Sequence, residues 1–103
     1  MEIQVQYLKM KSSEAMTQLL TRKLESLEKK YDWLIRARVV FKIENDSKGE
    51  DKVCEIELYA PGPSLFASSS SEDFEKSMAE SVDDLKRQLE KRQASFGPRG
   101  LKV

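Results

Sequence analysis

The chain has no histidine and a single cysteine, Cys54, among its 103 residues. Without histidine it lacks the commonest general base and the commonest metal ligand. One thiol closes no internal disulfide, which suits a reducing compartment. No apolar run approaches the roughly 18 residues of a membrane span, and the opening MEIQVQYLK has no signal-peptide pattern, so a cytoplasmic protein is expected. Net charge is missing too, since 18 Lys and Arg balance 18 Asp and Glu. That balance argues against wholesale nucleic-acid binding but leaves room for a local basic surface. Signatures of nucleotide, metal or redox chemistry are also absent: no GxGxxG, GxxxxGKS/T, CxxC or HExxH occurs. The acidic pair Asp83-Asp84 has no metal-ligand spacing, and the serines at 68 to 71 have no histidine to activate them. No catalytic residue, cofactor, metal or small-molecule substrate is implied, and a binding module remains.

What is present fits one soluble globular domain, 39% hydrophobic and 35% charged. The chain is organised around Ser71 to Gln93, where Phe74, Met78, Val82, Leu85 and Leu89 recur at helical spacing. Charge divides this helix. Residues 72 to 84 carry six acids against Lys76, whereas six bases stand against Glu90 from residue 85 onward. Acids near the start of a helix and bases near its end complement the macrodipole, which accounts for part of the pattern. The positive charge runs on past Gln93, where no helix end needs it.

Earlier in the chain, Ile3, Val5 and Tyr7 alternate with Gln4 and Gln6, the pattern of a half-buried strand. Ser12 or Ser13 can cap a helix with Met16, Leu20, Leu24, Leu27 and Tyr31 on its apolar side. On its wheel Arg22 and Lys29 point away from that stripe, while Lys23 and Lys30 share one flank. From Leu34 to Glu44 the period returns to two, with Ala37, Val39, Phe41 and Ile43 on one face. A polar turn over Asn45 to Asp51 leads to a returning strand in which Cys54, Ile56 and Leu58 face inward. Cys54 therefore reads as a small core residue. After Ala60-Pro61-Gly62-Pro63 comes a short strand near Leu65 to Ser68, then Ser69, Ser70 and Ser71, any of which could cap the long helix.

The order is strand, helix, three meandering strands, helix. The helical crossover makes the first two strands parallel, right-handed neighbours, and the later strands run antiparallel. Strands with one apolar face require both helices on the same side, giving a two-layer α+β sandwich with an exposed polar sheet face. The expected core includes Leu24, Leu27, Phe41, Ile43, Ile56, Leu58, Met78, Val82 and Leu85. A domain over residues 1–95 and a short flexible tail over 96–103 are expected.

The segments YDWLIRARVVFKIEN and ELYAPGPSLFASSSSEDFEKSMAESVDDLKRQLEK carry a resemblance. Over roughly residues 1 to 93 the chain resembles the ribosome hibernation-promoting factor and ribosome-associated inhibitor A family, also called sigma-54 modulation proteins. Its most specific pieces are Asp73, Leu85, Arg87-Gln88-Leu89 and Lys91 on the long helix, and the Pro-Gly turn before Leu65-Phe66-Ala67-Ser68. The chain ends about ten residues after the helix, which matches the short form without the ribosome-pairing second domain. The resemblance implies a β-α-β-β-β-α fold like that of double-stranded-RNA-binding domains. It also implies binding to the small ribosomal subunit, rRNA included, in the channel for mRNA and tRNAs. Such binding sterically inhibits translation in stationary phase or stress.

On this reading the RNA-facing surface combines Lys86, Arg87, Lys91 and Arg92 with Lys23 and Lys30 of the first helix, and an i, i+4 pair between Asp83 and Arg87 is the rival role for Arg87. A different class of function is a protein-interaction adaptor, in the sense of sigma-factor modulation, using the acidic surface of the same fold. With so charged a sheet face, a monomer in isolation is expected.

Overall fold

Period-two alternation and helical stripes sort the chain into β1 (Glu2–Leu8), α1 (Glu14–Lys30), β2 (Arg36–Asp46), β3 (Gly49–Tyr59), β4 (Leu65–Ser71) and α2 (Phe74–Ser95). The computed structural model describes residues 1–46 and 49–96. Ser47 and Lys48 of the expected hairpin turn, and 97–103 of the expected tail, lie outside the described residues. The strands form one sheet in the order β1-β2-β3-β4. β1 runs parallel to β2, and β2–β3 and β3–β4 are antiparallel. This is the expected two-layer α+β sandwich.

Alternation decides which face is covered. Ala37, Val39 and Phe41 of β2, Cys54, Ile56 and Leu58 of β3, and Leu65 and Ala67 of β4 are buried in one cluster with Leu20, Leu24 and Leu27 of α1. Met78, Val82, Leu85 and Leu89 bring α2 onto the same face. Tyr7 stacks on Phe41 at 5.2 Å between ring centroids, and its hydroxyl donates to the Ser13 carbonyl at 2.7 Å, tying β1 to the start of α1.

Two expectations change at the ends of elements. Ser69, Ser70 and Ser71 belong to β4, and Asp73 caps α2 instead, its carboxylate accepting from the Lys76 amide at 2.7 Å. Asp73 holds the extended backbone a cap requires, while β4 keeps pairing with β3 through Ser71, opposite Lys52. Ser13 caps α1 as expected, accepting from Met16 at 3.2 Å. Ile43, an expected core residue, is only half-buried. The β2–β3 ladder runs 11 residues per strand, while β1 pairing stops at Lys42 and β4 pairing at Lys52. Ile43 therefore lies one residue past the last β1 pair, level with the last pair that β4 makes.

Two buried polar residues sit in the middle of the α2 stripe. Ser77 donates to the Lys52 carbonyl at 2.6 Å and Ser81 to the Cys54 carbonyl at 2.8 Å, both from fully buried positions. A hydroxyl on a short side chain lets the helix approach β3 closely while its polar atom stays satisfied. Periodicity alone marks such positions as inward-facing and says nothing of the carbonyls they meet.

Truncating Leu85, which has no exposed surface, should cost about 2 to 5 kcal/mol in a Leu85→Ala variant, read by denaturant unfolding. Cys54 yields a pH effect. Burial pushes its thiol from 9.0 up to about 12, with Glu55 adding to the rise and Ser81 opposing it. Above pH 9 the unfolded chain gives up this proton and the folded chain keeps it, so stability present below pH 9 is lost as pH climbs towards 12. Relative to Cys54→Ala, the native protein should lose about 1.4 kcal/mol of stability between pH 7 and pH 10.

Candidate nucleic-acid interface

With Met78, Val82, Leu85 and Leu89 turned inward, helical geometry leaves Lys86, Arg87 and Lys91 on the exposed side of α2. α1 contributes a partner. Lys23, half-buried, lines a cleft of about 170 Å³ between the helices together with Ser26, Ala79, Val82, Asp83 and Lys86. Lysines from different helices thus line one cleft, together with Asp83. Lys30 lies two turns further along α1, exposed, its ammonium 5.5 Å from the Tyr31 ring centroid. Arg22 and Lys29 line the outer flank of α1 with Glu25 and Glu28, as the helical wheel implies.

The charges on α2 are paired by the tighter turn. Lys86 approaches Asp83 at 3.8 Å and Arg87 approaches Asp84 at 3.9 Å, both i, i+3 contacts, so Arg87 meets Asp84 and not the expected Asp83. Exposed pairs at this separation contribute a few tenths of a kcal/mol, and a phosphate can displace them. Among the described residues no ion pair to Lys91 is found.

Arg92 is occupied elsewhere. It is half-buried, and its guanidinium donates to the Pro61 carbonyl at 2.8 Å and to the Pro63 carbonyl at 2.7 Å. The guanidinium straps the Pro61-Gly62-Pro63 turn to the end of α2. Gly62 takes a φ of +91, and a Cβ there would meet Arg92 Nη1 at 3.2 Å, so the turn needs glycine both for conformation and for room. One turn earlier Gln88 donates to the Phe66 carbonyl of β4 at 2.8 Å. The sequence carries a signal for this role. Position 92 continues the heptad step from Met78 through Leu85, the edge of the buried stripe, although its charge suggests solvent.

A second cluster orients the end of α2. Trp33 donates its indole N–H to Gln93 at 3.0 Å and meets Phe96 edge-on at 5.1 Å and Tyr31 edge-on at 5.7 Å. Phe96, placed by sequence at the start of a tail, docks on this aromatic pair. Among the described residues no group of His, Cys, Asp and Glu could hold a metal ion, and no helix is long and apolar enough to cross a membrane.

The fold is that of a two-layer α+β sandwich domain with cationic side chains displayed on its helical layer. The family model described as "Sigma 54 modulation protein / S30EA ribosomal protein" matches residues 3–95, and the chain belongs to that family. Solved structures share the fold, two of them as follows. A ribosomal subunit interface protein from Coxiella burnetii is 24% identical with a TM-score of 0.81, the match covering 91% of this chain and 99% of that one. The N-terminal domain of Protein Y from Thermus thermophilus is 21% identical with a TM-score of 0.74, covering 88% and 98% respectively. No curated protein sequence matches the chain.

If Arg92 holds the turn, Arg92→Ala should lower stability by about 1 kcal/mol or somewhat more. Arg87→Ala and Lys91→Ala should each leave thermal melting within about half a kcal/mol of the parent.

Proposed function

We propose that this protein is a ribosome hibernation factor that occupies the mRNA and tRNA channel of the small ribosomal subunit and blocks translation by steric exclusion. The observation that carries the reading is the convergence of Lys23 and Lys86 on one interhelical cleft, with Arg87 and Lys91 displayed beside it on α2. Membership of a family whose description includes a ribosomal protein supports it, as does the likeness to a ribosomal subunit interface protein. The contact chemistry is phosphate neutralisation by Lys and Arg, which sets position on RNA without reading its sequence. Lys30 extends the surface along α1. Arg92 contributes through the turn it holds.

A net charge of zero is compatible with this role because the charges are segregated. The acids in the first half of α2 keep phosphates away from that end, so RNA approaches from the other. Segregation gives the complex an orientation that a uniformly basic surface would lack.

Sedimentation of the purified protein with small subunits at graded salt tests the reading. Four cationic contacts give a slope of log affinity against log salt of roughly −3. Replacing Arg87 and Lys91 together by glutamate should leave melting nearly unchanged, lower affinity by at least about a hundredfold, and flatten that slope by roughly two. Undiminished binding by the double variant would remove this surface from the mechanism and favour a protein-interaction adaptor.

A further inference from the structure

The sheet face turned away from the helices is open, and its chemistry differs from that of the helical layer. Strand register places three bases on it, Arg36, Arg38 and Lys42, against five acids, Glu2, Glu44, Asp51, Glu55 and Glu57. Each base is engaged on the face itself. The Arg36 guanidinium lies 4.2 Å from the centroid of the Tyr59 ring. Arg38 approaches Glu57 at 3.9 Å, and Lys42 sits between Glu55 at 3.1 Å and Glu44 at 3.7 Å. Glu57 also accepts from the hydroxyls of Tyr59 at 2.8 Å and Ser64 at 2.9 Å, and these bonds, helped by Arg38 and Arg36, hold its carboxyl below the usual carboxylate range. The face therefore presents fixed carboxylates and few cations free for a phosphate.

Within this frame stands an aromatic ring. Phe66 of β4 is 53% exposed and borders a shallow concavity of about 210 Å³ with Arg38, Val40, Glu55 and Glu57. Cross-strand register sets Phe66 beside Glu57, and Glu57 beside Arg38. An exposed aromatic among ordered, mutually bonded polar side chains has the composition of an interface centre: an apolar anchor, Arg and Tyr around it, and little rotamer freedom left to lose.

We propose that the open sheet face docks a basic polypeptide segment, a Lys- or Arg-bearing stretch of a protein belonging to the particle that the helical layer binds through RNA. An apolar side chain of that segment seats on Phe66 and Val40, and its flanking cations meet Glu55 and Glu57. Charge complementarity selects the occupant. The acid excess repels nucleic acid, the engaged bases leave it little to bind, and the same carboxylates attract a cationic chain. The inference rests on the ribosome reading above and assigns the second face of the domain to a protein.

Two measurements on purified small subunits test it, each paired with deproteinised small-subunit RNA. Phe66→Ser alters an exposed side chain, and its melting curve checks that the fold is kept. It should weaken binding to intact subunits about tenfold and leave binding to the bare RNA unchanged. The photo-crosslinker p-benzoyl-phenylalanine in place of Phe66 should label a protein of the intact subunit. Unchanged affinity of Phe66→Ser for intact subunits, an equal loss on both targets, or a crosslink to RNA or to nothing overturns the proposal. Failure of the unaltered protein to bind subunits overturns the ribosome reading itself, and this one with it. Binding that survives Phe66→Ser but not the Arg87 and Lys91 reversal overturns this inference alone.

Discussion

Everything displayed on the surface of this domain depends on how α2 lies on the sheet. Its stripe of Met78, Val82, Leu85 and Leu89 is buried against β3 and β4, with Ser77 and Ser81 donating to β3 carbonyls inside the same contact. Burying such aliphatic side chains contributes of order 2 kcal/mol apiece, far more than any surface ion pair on the helix. The apolar contact therefore sets the rotation of α2 about its axis. The positions of Arg87 and Lys91 follow from that rotation. Gln88 and Arg92, on the flank towards β4, secure the helix to the strand and to the turn before it.

Charge is distributed along two directions. Along α2, acids precede bases, which favours the helix dipole and polarises the helical layer. Across the domain, the helical layer carries cations that weak i, i+3 pairs leave available, while the open sheet face holds its cations in cross-strand contacts among an excess of carboxylates. A chain of zero net charge in this way carries a cationic helical layer on one side and an acid-rich sheet face on the other. Screening limits the reach of either surface to about 8 to 10 Å at cellular salt, so the field of one face is little cancelled by the other.

Much of the architecture was legible in the residues because burial imposes a period. Ala37, Val39 and Phe41 alternate, Met78, Val82, Leu85 and Leu89 recur at helical steps, and both patterns name the face that leaves water. Ser13 as a cap and the parallel pairing of β1 with β2 follow from equally local rules, since a side chain next to a helix start and a helical crossover each admit few arrangements. Arg87 and Lys91 were legible as outward-facing for the same reason.

What only the tertiary structure decided concerns contacts between residues far apart in sequence. Arg92 reads as one more surface cation until the Pro61 and Pro63 carbonyls arrive beside it, some thirty residues away in the chain. Ile43 alternates correctly yet escapes full burial, at a position one residue beyond the end of β1 pairing and level with the end of β4 pairing. Val53 falls on the polar face by alternation and is nonetheless 3% exposed, flanked in register by Lys42 and Ser70. The meeting of Lys23 with Lys86 likewise requires two helices to pack. Periodicity is a property of one element and encodes the direction in which a side chain leaves the backbone. What it meets there is set by the packing of separate elements, and no local pattern carries that information.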